Sequence, residues 1–340
     1  MKNIKRFIIP IFIPHAGCPH RCLFCDQQAV TSTGDGKITR QRIVETVKSY
    51  TETRPDWDRD IELAYFGGSF TSLPMKRQLD LLKISGELID EGLIDSLRVS
   101  TRPDAISDKI LGFLSEYGVR TIELGIQSMS DHVLDMSDRG HTSEDTRRAA
   151  SLIKQYGFDL IAQIMPGLPG DTESTILETA EKVVFLQPNG VRIYPAVVIQ
   201  NTEMERLYRE GLYEPLSLDE TVRITGMIVQ MFQEHDIPVI RIGLSHSKDL
   251  EKRVVAGPYH ESLGALVMEG MMAERIEAVV GALKHIPDPL VIRVHPKLVG
   301  AAVGGKKRTI RHLEKIHNLN RVKITGDQFL SEEEIVIENL

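Results

Sequence analysis

The chain has 340 residues, of which 41% are hydrophobic and 26% are charged. This length suits one large barrel with a small appended domain, and the composition is typical of a soluble globular protein. No uninterrupted apolar run approaches the roughly 18 residues that a membrane span requires, so we expect a cytoplasmic protein with no membrane partner.

Charge is distributed unevenly along the chain. The net charge is −7, but residues 284–324 carry ten lysines and arginines against two acidic residues, a local balance of +8. A basic end on an acidic body indicates a separate surface for an anionic partner. The alternative is a solvated face that binds nothing, which is common for charge runs.

Apolar runs with the period of strands alternate with runs of helical period over the first 240 residues. We predict strands at 7–14, 61–66, 97–101, 121–126, 160–165 and 191–194, separated by helices at 39–50, 75–89, 105–117, 143–156 and 173–186. Two further helices are expected to begin at 202 and 218. Strands that alternate with helices in this way favour a parallel sheet with right-handed crossovers.

Most of the chemically informative residues follow directly after a predicted strand. They are the cysteine run at 15–27, Gly67-Gly68-Ser69-Phe70, and the segments 102–104, 127–128 and 166–170. In parallel α/β barrels the active site lies at the carboxyl ends of the strands. The order of elements therefore predicts a site at that face, although periodicity alone does not distinguish a full barrel from a partial one.

All three cysteines of the chain lie in one short run, as Cys18, Cys22 and Cys25. Thiolates with this spacing can converge on one centre, because soft sulfur ligands favour zinc, copper(I) or iron–sulfur clusters. A structural zinc takes four protein ligands, so His15 or His20 would have to complete the set. A [4Fe–4S] cluster normally takes four cysteines, and three would leave one iron open to a ligand from outside the protein.

Two other interpretations of the cysteine run are weaker. A disulfide with one spare thiol is disfavoured by the odd number of cysteines and by the cytosolic character of the chain. A lipoprotein start at Cys18 is disfavoured because Pro10 and Pro14 interrupt the short apolar run that precedes it.

An aromatic residue, Phe24, stands immediately before the last cysteine. With it, the C-x3-C-x2-C pattern resembles the signature of the radical S-adenosylmethionine (SAM) superfamily. The resemblance implies that Cys18, Cys22 and Cys25 hold a [4Fe–4S] cluster whose open iron binds the amino and carboxylate groups of SAM. It also implies cleavage of SAM to a 5′-deoxyadenosyl radical, with electrons from a donor of the reduced ferredoxin or flavodoxin type. The implied fold is α/β, a partial (β/α)6 barrel of TIM type whose lateral opening admits the substrate.

Five further blocks sharpen the resemblance. They are Ser100-Thr101-Arg102-Pro103-Asp104, Glu123-Leu124-Gly125-Ile126-Gln127-Ser128, Arg139-Gly140-His141-Thr142, Ile164-Met165-Pro166-Gly167-Leu168-Pro169-Gly170 and Ile193-Tyr194-Pro195. In order and spacing they resemble the radical SAM domain of the Elongator catalytic subunit, and more distantly the oxygen-independent coproporphyrinogen oxidases. The matches cover about residues 8–240. They do not extend to the Elongator acetyltransferase domain, so acetyl-CoA is not implied as a co-substrate.

The same resemblance implies which residues hold SAM. Gly67, Gly68 and Ser69 would bind its amino group, because paired glycines let a ligand approach the backbone closely. Arg139 would pair with the methionine carboxylate through its planar fork. Phe24 would lie with the cofactor-binding residues.

Further residues would surround the nucleoside part of SAM. Gln127 would lie near the ribose, and Gln163, Met165 and Gly167 would line the adenosine. The alternative for the two glutamines is a satisfied hydrogen-bonding residue at a strand end. Ser100 stands where these relatives usually carry a glutamate, so a ribose contact there would be weaker or supplied elsewhere.

We predict a partial barrel at 1–245, a helical cap or linker at 246–284 and a small α+β domain at 285–340. Gly257-Pro258-Tyr259-His260-Glu261-Ser262 interrupts a helical pattern in the middle segment. His260 and Glu261 could serve in proton transfer, or the segment could be a structural cap.

The basic tail has the predicted order strand, short helix, glycine loop, helix and strand over 290–324. This order resembles a KH-type RNA-binding module, in which a glycine loop clamps the nucleic-acid backbone. Gly304, Gly305, Lys306, Lys307 and Arg308 would then contact RNA. Lys307 replaces the second glycine of G-x-x-G, which reduces backbone freedom but adds a cation for phosphate. A nucleotide-binding P-loop is disfavoured because Lys307 stands where serine or threonine must bind magnesium.

These observations lead to one hypothesis and two alternatives. The hypothesis is a radical SAM enzyme that modifies a nucleotide in RNA, either tRNA or rRNA. The first alternative is a radical SAM enzyme for a small molecule, with a structural tail. The second is a non-enzymatic, metal-containing RNA-binding protein.

Overall fold

The computed structural model describes residues 6–13, 18, 21–26, 38–52 and 60–338. The chain divides into two compact units, formed by 1–217 with 231–259 and by 218–230 with 260–340. Within the described ranges, no helix is both long and apolar enough to cross a membrane. His15 and His20, which a zinc site would need, lie outside the described residues.

The first unit is built on a curled sheet of seven parallel strands. In pairing order they are β1 (Phe7–Phe12), β2 (Ile61–Phe66), β3 (Ser96–Thr101), β4 (Val119–Gln127), β5 (Asp159–Ile164), β6 (Gly190–Ile193) and β8 (Val239–Ile242). Among the described strands the pairing ends at β1 and β8 without closing, so the α/β partial barrel of TIM type is confirmed. The number of strands was wrong by one. β8 has only four residues and two of them are exposed, which leaves little alternation to read.

Helices connect the parallel strands, as right-handed crossovers require. In chain order they are α1 (Arg40–Glu52), α2 (Met75–Asp90), α3 (Asp108–Ser115), α4 (Asp131–Met136), α5 (Ser143–Gln155), α6 (Glu173–Leu186), α7 (Glu203–Arg209) and α8 (Leu218–Glu234). A further helix, α9 (Lys248–Arg253), follows the last parallel strand. Thr142 with Asp145, and Thr172 with Thr175, form capping boxes at the starts of α5 and α6. Each box satisfies N–H groups that the first helical turn leaves unpaired, so these starts are fixed locally.

The two faces of the sheet differ in polarity. Alternate residues of a strand point to opposite faces, and Leu97, Val99 and Ile122 are fully buried on the face that packs against the helices. The other face carries Arg98, Ser100 and Glu123, and the register places Ser100 beside Glu123. The interior of the partial barrel is therefore lined by charged and polar side chains.

A short antiparallel pair lies outside the main sheet. It joins β7 (Val198–Ile199) to β9 (Val254–Ala256). Gly257 follows β9 with a φ of 99°, and a Cβ there would lie 3.3 Å from the Ala196 carbonyl oxygen. Glycine is therefore required where the chain leaves this pair.

The second unit combines helices with a three-stranded sheet of order β11-β10-β12. Its elements are the part of α8 at 218–230, α10 (Leu263–Gly281), β10 (Leu290–Val294), α11 (Val299–Val303), α12 (Arg308–Ile316), β11 (Val322–Gly326) and β12 (Ile335–Ile337). Ile276, Ala302 and Leu313 pack against the sheet and are fully buried. The predicted order of elements over 290–324 agrees with β10, α11, α12 and β11. The antiparallel strand β12 was missed, since three residues are too few to show an alternation.

Candidate active site

A cavity of about 570 Å³ lies inside the first unit, toward the carboxyl ends of the strands. This volume is within the roughly 300–1,000 Å³ typical of small-molecule and cofactor sites. Twelve of the predicted site residues line it: Cys18, Cys22, Phe24, Cys25, Gly67, Gly68, Ser69, Ser100, Gln127, Arg139, Gln163 and Met165. The fold thus brings together residues that are far apart in the chain, and their roles as ligands stay predictions.

Gly167 has a different setting from the other predicted residues. Its N–H donates to the Asp171 carboxylate at 3.0 Å, and its carbonyl accepts from the Tyr213 hydroxyl at 2.6 Å. Its φ is 85°, and a Cβ there would lie 3.0 Å from Leu216 Cδ1. Gly167 therefore shapes the turn after β5, while its neighbour Met165 lines the cavity.

The three cysteines share one environment. Cys22 is buried, Cys18 and Cys25 are half-buried, and the Cys25 N–H donates to the Cys22 carbonyl at 3.1 Å. Burial, followed by the charges of Cys22 and Cys18, raises the pKa of the Cys25 thiol to about 12. Three thiolates here would repel one another, and a cationic metal centre removes that repulsion.

The three cysteine side chains line one cavity. Among the described residues, no three His, Cys, Asp or Glu side chains lie close enough to hold one metal ion. Thiolates on one zinc lie only about 4 Å apart, because each Zn–S bond is about 2.3 Å long. An iron–sulfur cube binds its cysteines at separate iron atoms, which spaces the sulfurs more widely. Three thiolates facing an open cavity fit such a cluster with one free corner.

Backbone contacts hold the cysteine loop to the barrel. The Leu23 N–H donates to the Ser137 carbonyl at 3.2 Å, and the Leu23 carbonyl accepts from the Met204 N–H at 3.0 Å. Asp26 forms an ion pair with Arg253 at 3.4 Å. These tethers join the loop to the end of α4, the start of α7 and the end of α9.

The diglycine turn after β2 presents backbone to the cavity. Gly67 has a φ of 97°, in the region that glycine adopts readily. The buried Ser69 hydroxyl is bonded to Thr101 Oγ1 at 3.0 Å and to Ser72 Oγ at 3.1 Å. Because that side chain is already engaged, the backbone of the turn is what remains to bind an amino group.

Gln127 and Arg139 meet at an irregularity in β4. The register with β5 shifts between Gly125 and Gln127, and Gln127 has a φ of 67°. Such a value is uncommon for a long side chain and is often found at functional sites. A Cβ on Gly125 would lie 2.9 Å from both Arg139 Nη2 and Gln127 Nε2, so any larger residue there would displace these two side-chain ends. The Gln127 amide oxygen accepts from Gln163 Nε2 at 3.3 Å, which joins the two predicted nucleoside contacts.

Arginines surround a buried histidine beside the cavity. Arg102 is bonded to Asp104 at 2.8 Å and to the Arg139 carbonyl at 2.6 Å. Burial, followed by the charges of Arg139 and Arg102, lowers the pKa of His141 to about 3. Neither His141 ring nitrogen has a hydrogen-bond partner of good geometry among the described residues. Because its pKa is this low, the ring is neutral at neutral pH.

Several buried polar atoms around the cavity lack a partner within the described structure. They are Ser100 Oγ, Arg139 Nε and Arg102 Nη1. Unpaired buried polar atoms are costly, and a polar ligand would satisfy them. SAM carries carboxylate, amino and ribose hydroxyl groups, so these atoms fit it as a ligand.

Sequence reasoning missed the charged wall of the cavity. Arg192 of β6 and Arg241 of β8 line it together with Glu123 and with Tyr194, which had entered only as part of a motif. Arg192 Nε lies 3.3 Å from Glu123 Oε2. The available signal was the repeated placement of charged residues at alternate positions of otherwise apolar strands.

The glycine loop of the second unit already holds an acidic side chain. Gly304, Lys306 and Lys307 have φ values of 70°, 51° and 59°. The Gly305 N–H donates to Glu269 Oε2 of α10 at 2.9 Å, and Arg308 lies 3.5 Å from the same oxygen. A carboxylate therefore occupies one backbone amide of the loop that was predicted to contact RNA.

The segment before α10 behaves as a turn. His260 Nδ1 accepts from the Ser262 N–H at 3.1 Å, and the His260 carbonyl accepts from the Leu263 N–H at 3.2 Å. These bonds organise the start of the helix, which agrees with the interpretation as a structural cap.

Comparison with known proteins gives matches along most of the chain. The family model of the radical SAM superfamily matches residues 12–183, and that of the radical SAM C-terminal domain matches 188–274. Uncharacterized protein MJ0486 of Methanocaldococcus jannaschii is 28% identical over 79% of this chain and 84% of that protein. The tRNA uridine(34) acetyltransferase of Methanocaldococcus infernus is 25% identical over 64% of this chain, but the match spans only 48% of that protein.

A solved structure gives an independent match to the fold. The archaeal Methanocaldococcus infernus Elp3 with an N-terminal deletion superposes with a TM-score of 0.64 at 20% identity, covering 84% of this chain and 69% of that one. Identity this low shows the fold alone. Because the superfamily model covers half of the sequence, and because the cysteines and glycines of its motif meet in one cavity, the chain belongs to the radical SAM superfamily of enzymes, whose cofactors are a [4Fe–4S] cluster and SAM.

Proposed function

We propose that this radical SAM enzyme modifies a nucleotide in RNA, either tRNA or rRNA. The observation that carries the chemistry is the cavity shared by three cysteines, the diglycine turn and Arg139. The bound cluster and SAM would supply a 5′-deoxyadenosyl radical that removes a hydrogen atom from the substrate. The protein supplies orientation and excludes water from the reacting groups.

The contacts of the predicted site residues support a role for each in binding the cluster or SAM. Cys18, Cys22 and Cys25 would hold the cluster. Arg139 donates to Cys22 Sγ at 3.2 Å, so it can stabilise a thiolate ligand and bind the SAM carboxylate beside it. Gln127, braced by Gln163, would contact the ribose.

The RNA substrate is supported by the second unit. Its strand–helix–helix–strand order is that of a KH-like module, and Lys306, Lys307 and Arg308 are exposed around the loop between the helices. One relative that matches part of the chain is a tRNA uridine(34) acetyltransferase. The proposal includes an electron donor of the reduced ferredoxin or flavodoxin type, because the cluster must be reduced before it can cleave SAM. It also includes a cytoplasmic location.

One contact favours a second candidate, a radical SAM enzyme for a small molecule. The Glu269 carboxylate lies where RNA phosphate would meet the loop. A loop satisfied in this way could be structural, with its lysines facing solvent. The two candidates share the chemistry of the barrel and differ only in the substrate.

Anaerobic reconstitution tests the chemistry. We expect about four irons per chain and formation of 5′-deoxyadenosine from SAM with dithionite as reductant. Cys22→Ser should lose both the iron and the formation of 5′-deoxyadenosine. Ser49→Ala, on the exposed face of α1, should keep both. Full iron loading without 5′-deoxyadenosine would reject the enzymatic proposal.

Electrophoretic shift with cellular RNA tests the substrate. Neutralising Lys306, Lys307 and Arg308 together should abolish binding that the wild-type protein shows at low salt. Mass spectrometry of nucleosides from a deletion strain should then show one missing modification. No RNA binding at low salt, together with an unchanged nucleoside profile, would favour the small-molecule candidate.

A further inference from the structure

Two arginines lie side by side on one wall of the cavity. Strands β6 and β8 pair in parallel, and their register places Arg192 directly beside Arg241. Both side chains line the cavity, together with Tyr194 at the end of β6. Like charges at neighbouring positions of a sheet repel one another, so this pair requires a compensating negative charge.

The carboxylates nearby do not supply enough of it. Glu123 Oε2 lies 3.3 Å from Arg192 Nε and 3.7 Å from Arg98 Nη1. Arg98 has its own partner in Glu62 at 2.7 Å, so Glu123 compensates Arg192 and leaves Arg241 uncompensated. Arg241 donates through Nε to the Gly243 carbonyl at 3.1 Å. Among the described residues, no carboxylate forms an ion pair with Arg241. The wall carries an excess of positive charge.

The geometry holds these donors ready for a ligand. The Arg192 guanidinium lies 4.9 Å from the centre of the Phe66 ring, which fixes its plane. Its Nη1 donates to the Tyr194 hydroxyl at 3.2 Å, and accepting this bond leaves the Tyr194 proton to be donated elsewhere. The Arg192 side chain is only 12% exposed, so a ligand would meet it in a largely dry environment.

We propose that Arg192, Tyr194 and Arg241 form an oxyanion subsite for a phosphate or carboxylate group of the substrate, separate from the SAM carboxylate assigned to Arg139. Guanidinium groups present paired N–H donors that match two oxygens of such a group, and the tyrosine hydroxyl adds a third donor. The inference rests on the proposed function, in which the substrate enters this cavity. For an RNA substrate, the group is a backbone phosphate.

The test uses reconstituted protein saturated with SAM, so that the methionine carboxylate site is already filled. Inorganic phosphate and acetate are titrated separately, with chloride at matched ionic strength as the reference, and the thermal unfolding midpoint is followed. We expect phosphate or acetate to stabilise the wild type more than chloride does. A response to phosphate alone indicates a phosphate-bearing substrate, and a response to acetate alone indicates a carboxylate.

Variants of the cavity wall test whether the stabilisation by phosphate or acetate comes from binding to Arg192, Tyr194 and Arg241. Arg241→Gln, at an exposed position, should raise the apparent dissociation constant at least about tenfold, because hydrogen bonds to a charged ligand are lost. Tyr194→Phe should raise it less, and Arg209→Gln, an exposed arginine of α7, should not change it. The proposal is overturned if neither oxyanion exceeds chloride, or if Arg241→Gln responds like the wild type. If the wild type still forms 5′-deoxyadenosine, either of these results rejects the subsite but not the proposed function. If the wild type forms no 5′-deoxyadenosine, the proposed function itself is rejected.

Discussion

Replacing Arg139 by lysine tests how the cavity binds SAM. In the structure Arg139 Nη1 contacts Cys22 Sγ at 3.2 Å and Nη2 donates to the Gly125 carbonyl at 2.8 Å. Lysine keeps the charge but offers a single nitrogen, which cannot serve the sulfur, the carbonyl and a SAM carboxylate together. A hydrogen bond to a charged group contributes about 1.5–3 kcal/mol, so SAM binding should weaken about 10- to 100-fold.

Anaerobic equilibrium binding of SAM to reconstituted protein measures this effect. Arg147→Lys is the matched control, because Arg147 is a half-exposed arginine of α5 whose partner is Glu144 on the same helix. Arg139→Lys should also move the reduction potential of the cluster to a more negative value, since one N–H donor to sulfur is lost or displaced. An unchanged SAM dissociation constant at full iron content would refute the assignment of Arg139 to the SAM carboxylate.

Three further predictions concern buried charge, pH and RNA. Glu62→Gln removes the carboxylate that the buried Arg98 contacts at 2.7 Å and should lower the free energy of unfolding by about 3–5 kcal/mol in urea melts. A loss below about 1 kcal/mol, typical of exposed pairs, would contradict this. The pKa of His141 is lowered from 6.5 to about 3, so its contribution to stability is complete above pH 6.5 and is lost as the pH falls toward 3. Urea melts should show up to about 1.4 kcal/mol less stability per pH unit in that window, a slope that His141→Asn reduces. Glu269→Ala removes the acceptor that the Gly305 N–H now uses, so RNA binding should tighten several-fold. Glu274→Ala on the same helix removes an exposed charge and should not change RNA binding. Equal effects of the two variants would mean that the loop does not meet phosphate.

The structural features that could be predicted from the sequence are those formed by residues close together in the chain. The cysteine run carries its three thiols within eight residues, and the capping threonines Thr142 and Thr172 mark helix starts by local hydrogen bonds. Strand positions followed from runs of apolar residues. The partial barrel was implied by the resemblance to radical SAM proteins, because periodicity alone does not distinguish it from a full barrel. The four-residue β8, with its two exposed residues, was missed.

The interior of the barrel could not be read in this way. Arg98 and Glu62 are 36 residues apart and meet only because β2 and β3 pair in one register. Arg192 and Arg241 likewise become neighbours only through the pairing of β6 with β8. In the sequence these charges look like the solvent side of a half-buried strand. Whether a strand residue is buried inside a curled sheet depends on how all the strands pair. No local sequence pattern shows that pairing.

The tethers of the cysteine loop bear on how the enzyme would survive oxygen. The contacts of Leu23 and Asp26 with Ser137, Met204 and Arg253 use backbone groups and a surface ion pair, and none of them involves sulfur. Loss of iron by oxidation would therefore leave these three attachments intact, because none of them depends on the cluster. Leu23 and Asp26 would stay anchored to the barrel while a new cluster is delivered.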